Sequence, residues 1–372
     1  MRIQRVDLRE IRLTLREPFR ISSGEVADRR ILLARTTDED GRTVWSECVA
    51  GEHPNYSPET VDTAWLALHD WFAPRLLGAT LHHPEDVDPL LSHDVRGHRM
   101  ARATLEMAVW ALEAERRDVP LARLIGGTRT HVEVGISIGI QRSPAALVEH
   151  ARAALAAGYR KIKLKVEPRA DIEYVAAVRR ELGPDAPLMV DANNAYSADD
   201  ADVLSRLDEF DLLMIEQPLD DEDLVRHAAL QRRLRTAICL DESITSPDRA
   251  RDMIELGSGR VVNIKPGRVG GLGPAIAIHD ICAEHGVPVW CGGMLESGIG
   301  RAYNVALASL PNFLLPGDIS PSARYWQRDI VTPEWTMSGG RIAVPEAPGI
   351  GVDVDVDRID DLTVRFESLS VR

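Results

Sequence analysis

The sequence predicts an α/β protein: a (β/α)8-type barrel over 131–324, joined to an α+β domain made of residues 1–130 and the tail 325–372. Three observations predict it. From position 131 onward, apolar strand-like runs recur about every 25 residues, with helical stretches between them. Eight such runs are present, at 132–139, 160–166, 187–191, 212–216, 236–241, 260–265, 287–291 and 313–317, and eight parallel units close a ring. The chain ahead of them has a different pattern, a strand meander followed by helix.

The N-terminal MRIQRVDLREIRLTL alternates polar and apolar residues and reads as a strand over 3–15. Further strands are expected at 30–37 and 43–49, with Asp38-Glu39-Asp40-Gly41 supplying the turn between them. Helical spacing then takes over at Ala101, Leu105, Ala108 and Leu112, and Pro58 and Pro84 stand where helices can begin. In the barrel half, 171–182 (DIEYVAAVRREL) and 273–285 read as helices. An open doubly wound sheet would require a glycine-rich phosphate loop after its first strand. Gly135-Ile136-Ser137-Ile138-Gly139 matches one poorly. The tail carries two or three more short strands, expected to pack back on the N-terminal domain.

Composition narrows the function. No apolar run approaches the roughly 20 residues that span a bilayer, and the N-terminus lacks the apolar core of a signal peptide. A cytoplasmic protein with no membrane partner is expected. A net charge of -14 opposes nucleic-acid binding. Cys48, Cys239, Cys282 and Cys291 are scattered without a Cys-x-x-Cys pair, so neither a disulfide framework nor a zinc knuckle is indicated. Of 44 basic residues only four are lysine, at 161, 163, 165 and 265. Arginine stays charged, whereas lysine can lose its proton within reachable pH, so these four are candidates for work arginine cannot do.

Catalytic side chains in such barrels come from the C-terminal ends of the strands. The second strand ends Lys161-Ile162-Lys163-Leu164-Lys165, and strand period two puts its lysines on one face. Lys161 is expected to reach solvent at the strand's beginning, with Lys163 and Lys165 approaching the mouth. The next three strands end in Asp191, Glu216 and Asp241, spaced 25 residues apart. One acid there can be a helix cap. Three in register would repel one another unless a cation lies between them, and an all-oxygen set suits Mg²⁺. The sixth strand ends in Lys265, and strands two and six stand opposite each other in a ring of eight. Gly292 and Gly293, after the seventh strand, allow close backbone approach by a ligand.

The Lys-x-Lys at 163–165 and the motifs VDAN, IEQP, LDES and NIKP resemble the enolase superfamily, in its muconate-lactonizing-enzyme-like subgroup. NIKPGRVGG at 263–271, WCGGMLESGIGRA at 290–302 and LPNFLLPGDISPS at 310–322 are similar to its N-succinylamino acid racemase/o-succinylbenzoate synthase family. The resemblance implies a modified TIM barrel under a capping domain. It implies removal of a proton α to a carboxylate through an ene-diolate, with Asp191, Glu216 and Asp241 holding Mg²⁺, for which Mn²⁺ or another divalent cation can substitute. Lys165 and Lys265 would be the acid/base pair. Lys163 would neutralise the substrate carboxylate and lower the pKa of Lys165. Ser137, Asn193, Arg268, Gly293, Met294 and Tyr56 are the implied substrate contacts, with cap loops near Phe19–Gly24 and His53–Tyr56 over the mouth. A small carboxylate is the implied partner, and a homo-oligomer the implied assembly. As a fixed cation, Arg268 should lower the pKa of Lys265 toward working pH.

Alternatives remain. Dipeptide epimerases carry Asp-x-Asp after the eighth strand, where this chain has Gly317-Asp318-Ile319-Ser320. Mandelate-racemase-like members use a His-Asp pair in place of Lys265. Sugar-acid dehydration, or a metal-binding homologue without catalysis, are the other readings.

Overall fold

The N-terminal strand runs further than its apolar alternation suggests. In the computed structural model, which describes residues 1–371, the first strand spans Ile3–Ile21 and turns at Ser22-Ser23 into a second, Gly24–Asp38. The two pair antiparallel almost throughout, with an irregularity between Thr14 and Phe19. The strand expected at 30–37 is therefore the inner half of a long hairpin arm. Its outer half, where Arg16 and Glu17 are exposed, carries Phe19, Ile21 and Val26 to the lining of a cavity. Thr43–Cys48 and the terminal strand Thr363–Ser370 complete the sheet, in the order last, first, second, third.

The tail returns to this sheet as expected, but not entirely. Arg341–Ala343 pairs instead with His131–Glu133, just ahead of the barrel. The helical stripe around Leu105 lies within a helix spanning Arg99–Arg116. Pro58 lies in the turn before the helix Val61–Ala67, which Thr60 caps, and Pro84 opens a short 3₁₀ turn.

Seven parallel strands follow in sequence order: Gly135–Ile138, Lys161–Lys165, Leu188–Asp191, Ile215–Glu216, Ile238–Leu240, Val261–Ile264 and Val289–Cys291. The eighth run, 313–317, is held only at its ends. Phe313 bridges to Val289 and Gly317 to Val134, and the Gly317 N–H donates to Glu133 O at 3.0 Å. Pro316 has no N–H to give a ladder, so this segment closes the ring without forming a regular strand. Among the described residues no helix is long and apolar enough to cross a membrane.

Two glutamates of the N-terminal half lock onto helix N-termini of the barrel. Glu47 accepts from the N–H groups of Ser297 and Gly300 at the start of helix Gly298–Ala308. Glu106 accepts from Leu272 and Gly273 at the start of helix Leu272–Glu284, and from Trp110 Nε1. The orphan donors and positive end of each helix favour such carboxylates. Burial nevertheless pushes Glu47 up to about 7 and Glu106 up to about 8. Folding thus raises both above the ordinary glutamate value of 4.5, so their contribution is full below that pH and is lost as pH rises through 7 and 8. The melting temperature is expected to fall between about pH 5 and about pH 8.5. Glu106→Gln should flatten that slope in thermal unfolding followed by circular dichroism.

Candidate active site

Strand register lays the acids and lysines side by side. Lys165 stands opposite Asp191, and Asp191 opposite Glu216, at the ends of strands two, three and four. All three, with Asp241 and Lys265, are buried. Lys163 Nζ lies 3.0 Å from Asp191, 3.0 Å from Glu216 and 2.7 Å from Asp318. Lys165 Nζ donates to Asp191 Oδ2 at 2.6 Å and to the Asn193 side-chain oxygen. Opposite, Lys265 Nζ donates to Asp241 Oδ2 at 2.7 Å and to the Tyr56 hydroxyl at 2.9 Å. Arg268 donates to Asp241 Oδ1 and to Asn263 O.

The electrostatics follow from burial and pairing. Burial opposes the charge on Lys163, but Asp318, Glu216 and Asp191 around it win and hold its pKa well above the usual lysine value. Glu216 is pushed up to about 8, first by burial and then by the negative charge of Asp191. Lys265 tests the expectation about Arg268. Burial and Arg268 both pull its pKa down, but Asp241 and Tyr56 outweigh them and the net shift is upward. The Arg268 contribution has the expected sign, and with no metal cation on Asp241 it is outweighed by the direct contact of Asp241 with Lys265.

The three carboxylates do not close around one point. Among the described residues no group of three His, Cys, Asp or Glu side chains is arranged to hold an ion as it stands. Each acid leans instead on a cationic side chain. The donor set still fits a hard divalent cation: three adjacent buried carboxylates, with Glu216 destabilised as an anion by both Asp191 and Asp241.

Above these groups opens a cavity of about 320 Å³. Lys163, Lys165, Lys265, Ser137, Asn193, Gly293, Met294 and Tyr56 line it, and so do Phe19 and His53 from the two cap loops. The hydroxyl of Ser137 is buried without a partner. At Gly293 a Cβ would lie 2.7 Å from Asp318 O, so only glycine fits this backbone approach. Arg268 is placed differently from the expectation: it stands behind Asp241, outside the cavity lining.

Lys161 also departs from its prediction. It is fully buried, with Nζ 3.2 Å from the centroid of the Trp290 ring and 3.3 Å from Asp318 Oδ1. The barrel interior makes room for it at Gly135, where a Cβ would come 2.7 Å from Lys161 Cε and 3.2 Å from Lys161 O. Gly135→Ala is therefore expected to destabilise the fold by roughly 1–3 kcal/mol, as overpacking does, measured by urea unfolding. An unchanged midpoint would mean that the lysine side chain moves aside freely.

Several supporting residues escaped the sequence reading. Asp318 lines the cavity and pairs with Lys163, and it follows the eighth apolar run as the other acids follow theirs. Asn263 donates to Glu216 Oε1 at 2.7 Å, and its place two residues before Lys265 puts it on the same strand face. Gln217 Oε1 accepts from the N–H groups of Asp241 and Ser243, fixing the turn that carries Asp241. Asn193 and Gln217 themselves have left-handed backbones, φ 41° and 37°, strain of the kind that gathers at functional sites.

Comparison with known proteins agrees with this architecture. Residues 146–358 match the enolase C-terminal domain-like family, and residues 3–126 match the mandelate racemase/muconate lactonizing enzyme N-terminal domain. An o-succinylbenzoate synthase of Geobacillus stearothermophilus is 52% identical over 97% of this chain and 96% of its own length. An N-succinylamino acid racemase of Amycolatopsis sp. is 48% identical, over 98% of both chains. An enolase superfamily structure from Listeria innocua superposes with a TM-score of 0.96 at 39% identity, each chain covered 100%. With both domain models and near-complete relatives matched, the chain belongs to the enolase superfamily, in its mandelate racemase/muconate lactonizing enzyme group.

Proposed function

We propose that this chain is a divalent-metal-dependent enzyme that removes the proton next to a carboxylate, as an N-succinylamino acid racemase, an o-succinylbenzoate synthase, or both. One observation carries the reading. Lys165 and Lys265 enter the same cavity from strands two and six, opposite members of the ring, and each is held by a different buried carboxylate. Relatives bearing the two names are 52% and 48% identical along nearly the whole chain.

Asp191, Glu216 and Asp241 would hold the metal ion, Mg²⁺ by its oxygen preference, which supplies Lewis-acid charge beside a bound carboxylate. Lys163, kept as an ammonium by its three carboxylate neighbours, adds a fixed positive charge on the same side. A lysine on one face takes the α-proton, and the C–H electron pair moves into the carboxylate as an ene-diolate. In racemisation the lysine opposite returns a proton to the other face, inverting the centre. In synthesis Lys165 gives its newly acquired proton to a β-hydroxyl, which leaves as water and yields an aromatic ring. The proton-transfer part of such catalysis is worth ~10²–10⁴-fold. A cytoplasmic setting belongs to the same reading, since all four cysteines are free and buried.

The test sets two assays beside each other in Mg²⁺: loss of optical rotation from one N-succinyl amino acid enantiomer, and ultraviolet absorbance of o-succinylbenzoate formed from its cyclohexadiene precursor. Turnover of either substrate supports the reading. Dehydration of polyhydroxy acids without either activity would replace it with a sugar-acid dehydratase.

A further inference from the structure

The two opposed lysines are not held alike. Lys165 takes both of its partners, Asp191 and Asn193, from the barrel. Asn193 is in turn fixed by donating its side-chain N–H to Glu242 Oε1 at 2.9 Å, and the cap reaches it only at the backbone, where the Ser22 hydroxyl lies 3.2 Å from Asn193 O. Lys265 has one barrel partner, Asp241 Oδ2 at 2.7 Å, and one from the N-terminal domain, the Tyr56 hydroxyl at 2.9 Å. The same hydroxyl donates its proton to Asp241 Oδ1 at 2.9 Å, which leaves its lone pairs facing the ammonium. Below this triangle the Tyr56 ring lies 4.5 Å from Lys265 Nζ.

We infer that Tyr56 is the positioning residue of Lys265: the hydroxyl from the cap loop completes the acid/base group on one face of the substrate, while the Lys165 ammonium takes no side-chain partner from the cap. The inference rests on the two-lysine reading given above. Its physical content is a difference in what orients each ammonium. Proton transfer depends on donor placement to a fraction of an ångström, and an ammonium on a four-carbon stem with one anchor sweeps an arc. With Tyr56 and Asp241 both engaged, Lys265 Nζ has two fixed anchors. Seating of the cap loop and assembly of the Lys265 face thereby become one event. The Tyr56 loop is tied to the hairpin turn, where Asn55 Nδ2 donates to Ser23 O at 3.2 Å, and that turn is tied to the Lys165 side, where the Ser22 hydroxyl lies 3.2 Å from both Ala192 O and Asn193 O. Tyr56 carries its loop to the opposite side of the mouth, at Asp241 and Lys265.

Tyr56→Phe removes only the hydroxyl and keeps the ring. The measurement is wash-in of solvent deuterium at the α-carbon of each pure N-succinyl amino acid enantiomer, by proton NMR, with Mg²⁺-loaded protein. Lys165→Ala and Lys265→Ala are run beside it to assign each enantiomer to its lysine. In Tyr56→Phe, kcat for exchange from the enantiomer assigned to Lys265 should fall about tenfold to a hundredfold. Exchange from the other enantiomer should fall less than about threefold, with KM for both little changed. Equal losses for both enantiomers, a change in KM alone, or no loss would each overturn the positioning role. If the two alanine variants do not stop exchange from opposite enantiomers, the two-lysine reading itself falls and this role with it, a result separate from the behaviour of Tyr56→Phe.

Discussion

Lys165→Ala and Lys265→Ala are each expected to stop interconversion of N-succinyl amino acid enantiomers in both directions. Racemisation uses one lysine as base and the other as acid, so deleting either removes one half of every forward and reverse turnover. The loss should reach at least ~10³-fold in kcat, with KM changed far less, because the deleted group acts in the transition state. The two variants should differ in dehydration. Lys165→Ala should abolish o-succinylbenzoate formation, since the same amine takes the α-proton and protonates the leaving hydroxyl. Lys265→Ala should retain more of it, because Lys265 serves there only as a charge near the site. A Lys165→Ala protein that racemises normally would show that the pair across the mouth is not the acid/base pair.

The second large effect concerns the acids. Glu216→Gln should lower turnover on the order of 10³-fold, and chelation of the wild type should do the same reversibly, with Mg²⁺ or Mn²⁺ restoring it. Glu216 is fully buried beside Asp191, and its carboxyl is pushed up to about 8 by burial and by that neighbour. A dication favours the ionised carboxylates, so its binding should release protons and stabilise the fold. Thermal unfolding gives a readout apart from activity. A Mg²⁺ concentration about 100-fold above Kd should add ~2.7 kcal/mol of stability to the wild type. Glu216→Gln should lose that increment at the same concentration. Full turnover in exhaustively chelated protein, with no Mg²⁺-dependent shift, would remove the metal from the account.

What the sequence made legible follows from which physical constraints are local. The acids at 191, 216 and 241 stood out because each closes an apolar run at a 25-residue interval. The lysines stood out because 40 other basic positions are arginine. Side-chain direction along a strand is also local, so the placement of Lys163 and Lys165 on one inward face followed from period two. Lys161 obeyed the same rule, yet its burial depended on Gly135 in the neighbouring strand and Trp290 across the barrel, which no local pattern contains. The outer hairpin arm at 16–24 was invisible for a related reason. Its residues face a cavity and solvent, so the alternation that marks a half-buried strand is lost there. The downward pull of Arg268 on Lys265 was foreseen, but the direct contact between Lys265 and Asp241, which lies 24 positions away in sequence, was not.

The most direct test of the central claim is α-proton exchange by the wild-type protein in D₂O. Each pure enantiomer of an N-succinyl amino acid is incubated with Mg²⁺-loaded enzyme, and proton NMR follows the α-resonance while chiral chromatography follows configuration. The account predicts that the α-proton signal disappears from both enantiomers, that the inverted product carries deuterium from its first appearance, and that chelation stops both processes. Inversion with full retention of the original proton would contradict proton removal and return by two separate lysines. Absence of any exchange from either enantiomer, in protein that binds Mg²⁺, would contradict α-proton abstraction from N-succinyl amino acids.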